Sequence, residues 1–500
     1  MADHDVIIIG AGLNGLVAAN YLAKAGKRVI VLERRAIAGG QAVSETFGED
    51  FTVDALHAGG ALRPDIVDDL DLAQHGLPSS AAEPLISILP DGRKLRLTAG
   101  SEDETIASVA AFSKRDAERW PAFVAFMTEA AGFLDAAYRT PMPRLPHISL
   151  SEGLPLAKLG LQLRRLGPRD MFRVIRALPM SALELTEEWF ESDIVRAALG
   201  SGAIHGSTLG PMSAGTGYTL MHNWLNRGGP GQRRVAGGLG RIAETLAAAL
   251  KARGGAVRFS ADVKMILVDD QRVRGVRLAS GEEIVAPVVV SGADPRHTLL
   301  DLVGAPELPP DFVWGAQSIK MRGAVAKVHL LTDGNHGVPA GTIAVAPGIR
   351  YLERAYDAAK YGQMSANPYL EVTASGRIVS IHFQFAPYAL RERDWGQERS
   401  VLERCAVDTA AALFPQLKAS IRGVKALTPL DLAKTYGLTE GDLNHGQLIL
   451  DQMFFMRPMP GWSTHRMPID DLYLCSNGMH GGGGISGAAG RNAARAILKT

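Results

Sequence analysis

Near the N-terminus, the apolar run Val6-Ile7-Ile8-Ile9 leads straight into Gly10-Ala11-Gly12-Leu13-Asn14-Gly15. A short continuous run of β-branched residues reads as a buried parallel strand. Leu16, Val17, Ala19, Tyr21 and Leu22 then keep helical spacing up to Gly26, and Arg28 to Leu32 reads as a second strand ending on Glu33. Strand, Gly-x-Gly-x-x-Gly, helix, strand, acid is the context that makes this motif a dinucleotide site rather than a glycine-rich turn. Gly10 permits the tight turn, Gly12 lets a pyrophosphate approach the backbone, and Gly15 lets helix and strand pack closely. Leu13 and Asn14 open the helix, whose N–H groups and positive dipole end face the phosphates. Glu33 is placed to accept hydrogen bonds from the ribose hydroxyls, and its charge repels a 2′-phosphate, which argues against NADP.

Two further features favour FAD over NAD. Arg34-Arg35 and Gly39-Gly40-Gln41-Ala42 continue directly from the acid and suit extra contacts to a pyrophosphate running deeper into the protein. Leu472 to Cys475 reads as a buried strand, Asn477 to Gly484 as a glycine-rich crossing, and Ser486-Gly487-Ala488-Ala489-Gly490 as a helix opening, with Arg491, Ala493, Ala494, Ile497 and Leu498 behind it. This second strand–loop–helix unit lies more than 440 residues beyond the first. Gly478, Gly484, Ile485 and Ser486 therefore join the expected cofactor-binding set, the helix N-terminus stabilising negative charge on a reduced ring.

On these residues the chain resembles the phytoene desaturase-like flavoproteins of the amine-oxidase-type superfamily, and among them the pyridine nucleotide-disulfide oxidoreductase domain-containing protein 2 group. The similar stretches are Ile8 to Ala19, Leu32-Glu33-Arg34-Arg35, Trp189-Phe190-Glu191-Ser192, Gly217-Tyr218, Gly237-Gly238-Leu239-Gly240, Leu427 to Leu432, Asp451-Gln452, Arg457-Pro458 and the tail from Leu472 to Ala494. They are scattered over nearly the whole chain in family order. The resemblance implies FAD, with Val263 where the backbone meets the adenine and Ser291-Gly292-Ala293-Asp294 ending a strand near the cofactor. Two departures stand out. The family's usual His-Pro-Gly is His480-Gly481-Gly482 here, which predicts a looser loop over the flavin. The group's name promises disulfide chemistry, yet Cys405 and Cys475 are the only cysteines and stand 70 residues apart.

The expected architecture is α/β: a Rossmann-like FAD-binding domain, discontinuous in sequence, with an inserted α+β substrate domain. Residues 1–79, 231–300 and 426–500 form the FAD-binding parts; 80–230, mainly helical, and 301–425 form the substrate domain. In 231–300 a helix carries Ile242, Leu246 and Leu250, followed by strands at Ala256–Phe259, Val263–Val268, Val273–Leu278 and Glu283–Ser291. Gly237 to Gly240 is a poor second nucleotide site, since no strand closely precedes it and no acid ends the next strand. Strand candidates in the second insertion are Ala324–Leu331 and Arg377–Gln384.

Composition narrows the partners. Lys+Arg number 53 against 52 Asp+Glu, a net charge of +1, so no basic field exists to hold nucleic acid. No apolar run reaches the ~18 residues a membrane span needs, and no secretory signal is visible, so a cytoplasmic protein is expected. Residues 154–180 interleave Lys158, Arg164, Arg165, Arg169, Arg173 and Arg176 with leucines, Met171, Phe172 and Ile175. That pattern fits solvated lid helices first and a peripheral membrane contact second. The sequence leaves the oligomeric state open.

For the chemistry, His480 inside the glycine-rich loop is the first candidate for a polar group near the ring. His57 is placed to line the cavity, and Tyr218, with His222 and Trp224, to form an aromatic wall or part of the core. His445 and His465 are further candidates. No group of residues has metal-ligand spacing, and no Gly-x-Ser-x-Gly elbow occurs. The expected activity is removal of a hydride from a largely apolar organic substrate, making a C=C or C=N bond, with O2 or a quinone-like molecule as electron acceptor. A flavin-dependent saturase or isomerase is the second reading, and a flavin-containing interaction protein without turnover the third.

Overall fold

The computed structural model describes residues 3–143 and 150–499. Its first layer is a five-stranded parallel sheet in the order Leu472–Leu474, Val288–Ser291, Val6–Ile9, Val29–Leu32, Ala256–Arg258. Alternation along the strands decides which side each residue faces. Val6, Ile8, Val29 and Val31 pack with the helices Leu13–Lys24, Gly240–Ala252 and Ala488–Ile497. Ile7, Ile9, Ile30 and Leu32 pack instead with the antiparallel sheet of Val263–Asp269, Arg272–Leu278 and Glu283–Val285 and with the helix Pro310–Gln317. Both faces are covered, which is why the strands read as unbroken apolar runs. The pairings Ile9↔Leu32, Ile9↔Ser291 and Ser291↔Leu474 bring four carboxyl ends level. In open α/β sheets ligands bind in the crevice outside those ends.

The second layer is a seven-stranded sheet in the order Ile421–Leu427, Val325–Thr332, Ile378–Gln384, Leu370–Ser375, Thr342–Ala344, Leu85–Ile88, Lys94–Leu97. Ala326, Val328, Leu330, Ile381 and Phe383 bury one face against the helix Trp395–Leu413. The other face carries Lys327, His329, His382 and Glu371, all buried. A helical cap completes this half, its core built on Trp120, Phe123, Phe126, Phe190 and Trp224.

The expected domain borders cut real elements. Residues 80–230 hold seven of the helices but also give Leu85–Ile88 and Lys94–Leu97 to the second sheet. Ser80–Glu83 pairs with Gln232–Val235 across the 230/231 border. The 300/301 and 425/426 borders fall inside the helix His297–Gly304 and the strand Ile421–Leu427. Such pairings join residues about 150 apart, which local pattern does not reveal. No helix among the described residues is long and apolar enough to cross a membrane.

Candidate active site

A cleft of about 1070 Å³ runs along the carboxyl ends of the parallel sheet. At one end Glu33 Oε2 accepts the Ala11 N–H at 2.7 Å and Oε1 the Arg35 N–H at 2.9 Å. Each oxygen keeps a free lone pair for a hydroxyl. Arg34 donates to the Thr435 carbonyl at 2.7 Å, and Arg35 pairs with Glu45 at 2.6 Å beneath the Tyr436 ring. Arg35 Nη1 is buried without a hydrogen-bond partner. In the middle, the helix Leu13–Lys24 starts with no side-chain cap. Its first N–H groups stay available to an anion. Gly10 (φ +90°) makes the turn, and a Cβ on Gly15 would stand 2.3 Å from the Gly10 carbonyl oxygen. Gly39 donates to the Ala11 carbonyl at 2.9 Å, and a Cβ on Gly40 would stand 2.9 Å from Gly12 Cα.

The other end is closed by the C-terminal loop. Asn14 Nδ2 donates to Asn477 Oδ1 at 2.8 Å, and Asn14 Oδ1 accepts the Gly490 N–H at 3.2 Å, so the two glycine loops are clipped together. Arg457, buried, donates to the carbonyls of Asn444, Gly446, Gln447, Gln452 and Asn477 and fixes the loop from behind. Gly484 and Ile485 line both the cleft and a further, smaller cavity, which we call the ring-end cavity. Its other walls are His57, Gly59, Gly60, His205, Gly206, Asn223, Asn226, Arg227, Gln232, Leu443 and Asn444. Behind it a larger cavity, about 1320 Å³, is faced by Lys327, His329, Glu371, Ser380 and His382. The two meet where His205 Nδ1 lies 2.9 Å and Arg227 Nη2 3.7 Å from Glu371 Oε1.

Against known proteins, residues 13–373 match the family model for flavin containing amine oxidoreductases. The chain belongs to that family. It is 32% identical over 552 residues to pyridine nucleotide-disulfide oxidoreductase domain-containing protein 2 of Rattus norvegicus, covering 99% of this chain and 94% of the relative. It is 25% identical to a lycopene-forming phytoene desaturase of Paracoccus sp., covering 98% and 96%. A solved structure of a putrescine oxidase mutant superposes with a TM-score of 0.60 at 17% identity over 99% of both chains and shares the fold. FAD is the cofactor of this flavoprotein. The orphaned Arg35 Nη1, the uncapped helix start and the side-chain-free face at Gly12 all suit its pyrophosphate.

Of the residues expected to hold FAD, Gly10, Gly12, Leu13, Asn14, Gly15, Glu33, Arg34, Arg35, Gly40, Gln41, Ala42, Val263, Gly484 and Ile485 line the cleft of this flavoprotein. Gly39, Ser291, Gly478 and Ser486 do not. Ser291 is turned inward, its hydroxyl 2.7 Å from that of Thr298, and the cleft is met by Gly292 and Ala293 instead. Gly478 backs onto the His445 carbonyl, and Ser476 and Asn477 take its place. Ser486 donates within the loop to the Gly483 carbonyl at 3.4 Å, and the helix starts only at Ala488. The Gly237–Gly240 turn is internally satisfied: Asp54 accepts the Leu239 N–H at 2.8 Å and Ser44 the Gly240 N–H at 3.0 Å.

His480 and Tyr218 do not reach the cavity. His480 donates from Nε2 to the Ala137 carbonyl at 3.1 Å, facing the helical cap, and burial pushes its pKa down to about 4. Tyr218 lies 3.0 Å from Tyr138, whose hydroxyl meets His222 Nδ1 at 2.7 Å; His222 Nε2 meets Asn226 at 2.8 Å. Tyr218 thus acts on the cavity only through a chain of partners ending at Asn226. Trp224 packs edge-on to Phe123 in the same core. His465 donates to the Leu474 carbonyl at 2.8 Å, away from the cleft, whereas His445 lines it. His57 lines the ring-end cavity, 2.9 Å from Gln41 Oε1 and kept neutral by burial and by the nearby Lys327 charge. The loop is not loose at Gly481. It sits at φ +79°, which proline cannot adopt, and a Cβ there would stand 2.9 Å from Asn492. Both cysteines are free, and burial raises the Cys475 thiol to about 12, so the relative's name has no dithiol here to support it.

The expected apolar substrate meets a different wall. Apart from glycines, Leu443 and Ile485 are the apolar members of the ring-end lining. Lys327, His382, His205, Glu371 and Arg227 were missed from sequence. Burial lowers Lys327 from its ordinary 10.5 to about 7, and its Nζ donates to His382 Nδ1 at 2.9 Å. His382 Nε2 then donates to Gln384 Oε1 at 2.9 Å, and its ring stacks on His205 with centroids 4.2 Å apart. Burial would raise the Glu371 carboxyl, but His205 and Arg227 hold it well below the usual range. A signal existed: Val325-Ala326-Lys327-Val328-His329-Leu330 puts ionisable residues at alternate positions of an apolar strand.

Proposed function

We propose that this flavoprotein removes a hydride from a carbon of a small organic substrate in the ring-end cavity. A proton leaves the adjacent carbon or nitrogen, so a C=C or C=N bond forms. The electron pair then passes to O2 or a quinone-like acceptor. Bound FAD supplies the hydride acceptor. The observation that carries the reading is continuity: Gly484 and Ile485 are shared by the cofactor cleft and the ring-end cavity. Gln41 holds His57 at that junction, and Gly59 and Gly60 keep it clear of side chains. A Cβ on Gly60 would stand 2.4 Å from Ile485. Lys327, lowered by burial to about 7 and fixed by donating to the neutral His382, faces the larger cavity behind the ring-end wall, one step removed from the substrate position.

An anaerobic titration of the purified yellow protein with NADPH tests the direction. A stable oxidised-flavin band leaves reduction to the protein's own substrate, as this reading expects. Rapid bleaching overturns it in favour of a saturase, in which a pyridine nucleotide delivers the reducing equivalents.

A further inference from the structure

Arg227 ends the helix Thr216–Arg227 and is 8% exposed. Its Nη2 is buried with no hydrogen-bond partner, and the carboxylate it pairs with, through Glu371 Oε1, is 3.7 Å away. That distance is too long for a hydrogen bond. The carboxylate's Oε1 already takes the Tyr369 hydroxyl at 2.8 Å and faces His205 at 2.9 Å, while its Oε2 is itself buried without a hydrogen-bond partner. The Arg227–Glu371 pair is therefore held by charge rather than by a hydrogen bond. A guanidinium donor left unpaired in the interior is unfavourable unless something else takes it. On its other side Arg227 faces the ring-end cavity, whose lining contains no Asp or Glu. The two histidines there, His57 and His205, are both lowered by burial and carry no charge at neutral pH. What this wall offers is one guanidinium, its charge shared with Glu371 behind it but its Nη2 donor unused, with Asn223, Asn226 and Gln232 in the same lining.

We propose that Arg227 anchors an anionic group, a carboxylate, on the substrate. On the reading above, which this inference presupposes, the oxidised carbon then lies between that anchor and the Gly484–Ile485 wall. An ammonium group, which only donates, would meet a guanidinium that only donates, with the one nearby carboxylate, Glu371, on the far side of it. The site therefore selects organic acids over amines, although the solved neighbours that share the fold include amine oxidases. A planar guanidinium also matches a carboxylate through two parallel N–H donors, which a lysine does not.

The test is a titration of the FAD-loaded protein with hexanoate and benzoate, their neutral amides, and hexylamine and benzylamine, following perturbation of the flavin absorbance band. The acids are expected to bind at least tenfold more tightly than the amides, and the amines not to perturb the band. Arg227→Met should weaken acid binding about thirtyfold and leave the amides within twofold. Arg227→Lys should recover part of the loss. Amines binding as tightly as acids, or acid affinity unchanged in Arg227→Met, would overturn the proposal. Should Arg227→Met not fold, Arg227→Gln and the wild-type acid-to-amide ratio decide the matter. A protein that purifies without flavin refutes the oxidoreductase reading alone, because thermal shift of the apoprotein with hexanoate against hexanamide still reads the Arg227 site.

Discussion

In the cofactor cleft the groups offered to a ligand are largely main-chain N–H donors at the start of the helix Leu13–Lys24, kept clear by Gly10, Gly12 and Gly40. In the ring-end cavity they are side chains, from Arg227 on a helix of the cap to His57 beside the first glycine loops. In the first region the glycines and the acid lie within one segment under 45 residues long. Asn14 clips the tail to it through Asn477 and the Gly490 N–H, while Ala261 to Val263, Gly292-Ala293 and Tyr436 to Leu438 complete the walls. The second is assembled from strands and helices up to about 400 residues apart. Backbone recognition of a pyrophosphate tolerates little change at its glycines but asks nothing of the substrate. Side-chain recognition can be rebuilt without touching the fold. The family can therefore keep one cofactor and change what it oxidises.

Breaking the first region should have the largest effect. In Gly15→Val the new Cβ would stand 2.3 Å from the Gly10 carbonyl oxygen, a backbone atom that cannot give way without moving the turn. The expected outcome is protein without flavin and destabilised by about 3 kcal/mol or more, read as the flavin-to-protein ratio and a thermal melt. Glu33→Ala is milder. It frees the Ala11 and Arg35 N–H groups and removes the ribose acceptor, at a cost of about 2–3 kcal/mol. That corresponds to FAD retention weaker by roughly 30- to 150-fold. Full flavin occupancy in Glu33→Ala would mean that the cleft does not hold the nucleotide by this acid.

This contrast also explains what could be read from sequence. Gly10 to Gly15, Glu33 and Gly39 to Ala42 are legible because turn, helix and strand are contiguous and each residue's job is local. Glu283–Ser291, read as one strand, is two: Glu283–Val285 pairs in the antiparallel sheet. After Ala286-Pro287, Val288–Ser291 enters the parallel sheet between Val6–Ile9 and the tail strand, neighbours that no local pattern reveals. Ser291, Gly478 and Ser486 lay within two residues of the right place, because sequence locates a loop but not which of its residues turns toward the ligand. His480 sits in the glycine-rich loop, yet the crossing points it at the Ala137 carbonyl. Lys327 and His382 face each other across antiparallel strands 55 residues apart, a pairing fixed by tertiary register.

Lys327 gives a test within the second region that needs no known substrate. Its pKa falls from 10.5 in the unfolded chain to about 7 in the folded protein. Between those values the unfolded state binds the extra proton, so stability rises with pH, and the contribution is lost as pH falls from 10.5 toward 7. The slope is at most about 1.4 kcal/mol per pH unit. Lys327→Met, which keeps the stem's volume, should flatten the melting temperature against pH across that window. A parallel offset with unchanged slope would mean Lys327 keeps its proton through the range.

The smallest effect is expected outside both regions, at the hairpin of Leu150–Arg165 and Gly167–Ala177. Phe172 is 65% and Leu154 59% exposed, with Leu161 and Ile175 also open to solvent. That is the composition of a surface helix that rests on anionic lipid. Its charges are partly spoken for. Arg173 pairs with Asp170 at 3.3 Å and lies over Trp189, and Arg176 pairs with Glu188 of the cap. Among the described residues Lys158, Arg164, Arg165 and Arg169 form no ion pair and lie on the outer surface. We propose a weak, salt-sensitive contact: vesicles containing phosphatidylserine should pellet a minor fraction of the protein at low ionic strength and none near 0.5 M salt, where screening acts within about 4–5 Å. Phe172→Ser should reduce that fraction and leave the flavin band unchanged. Equal pelleting with neutral phosphatidylcholine vesicles would make the exposed apolar residues, rather than the free cations, the source of attraction.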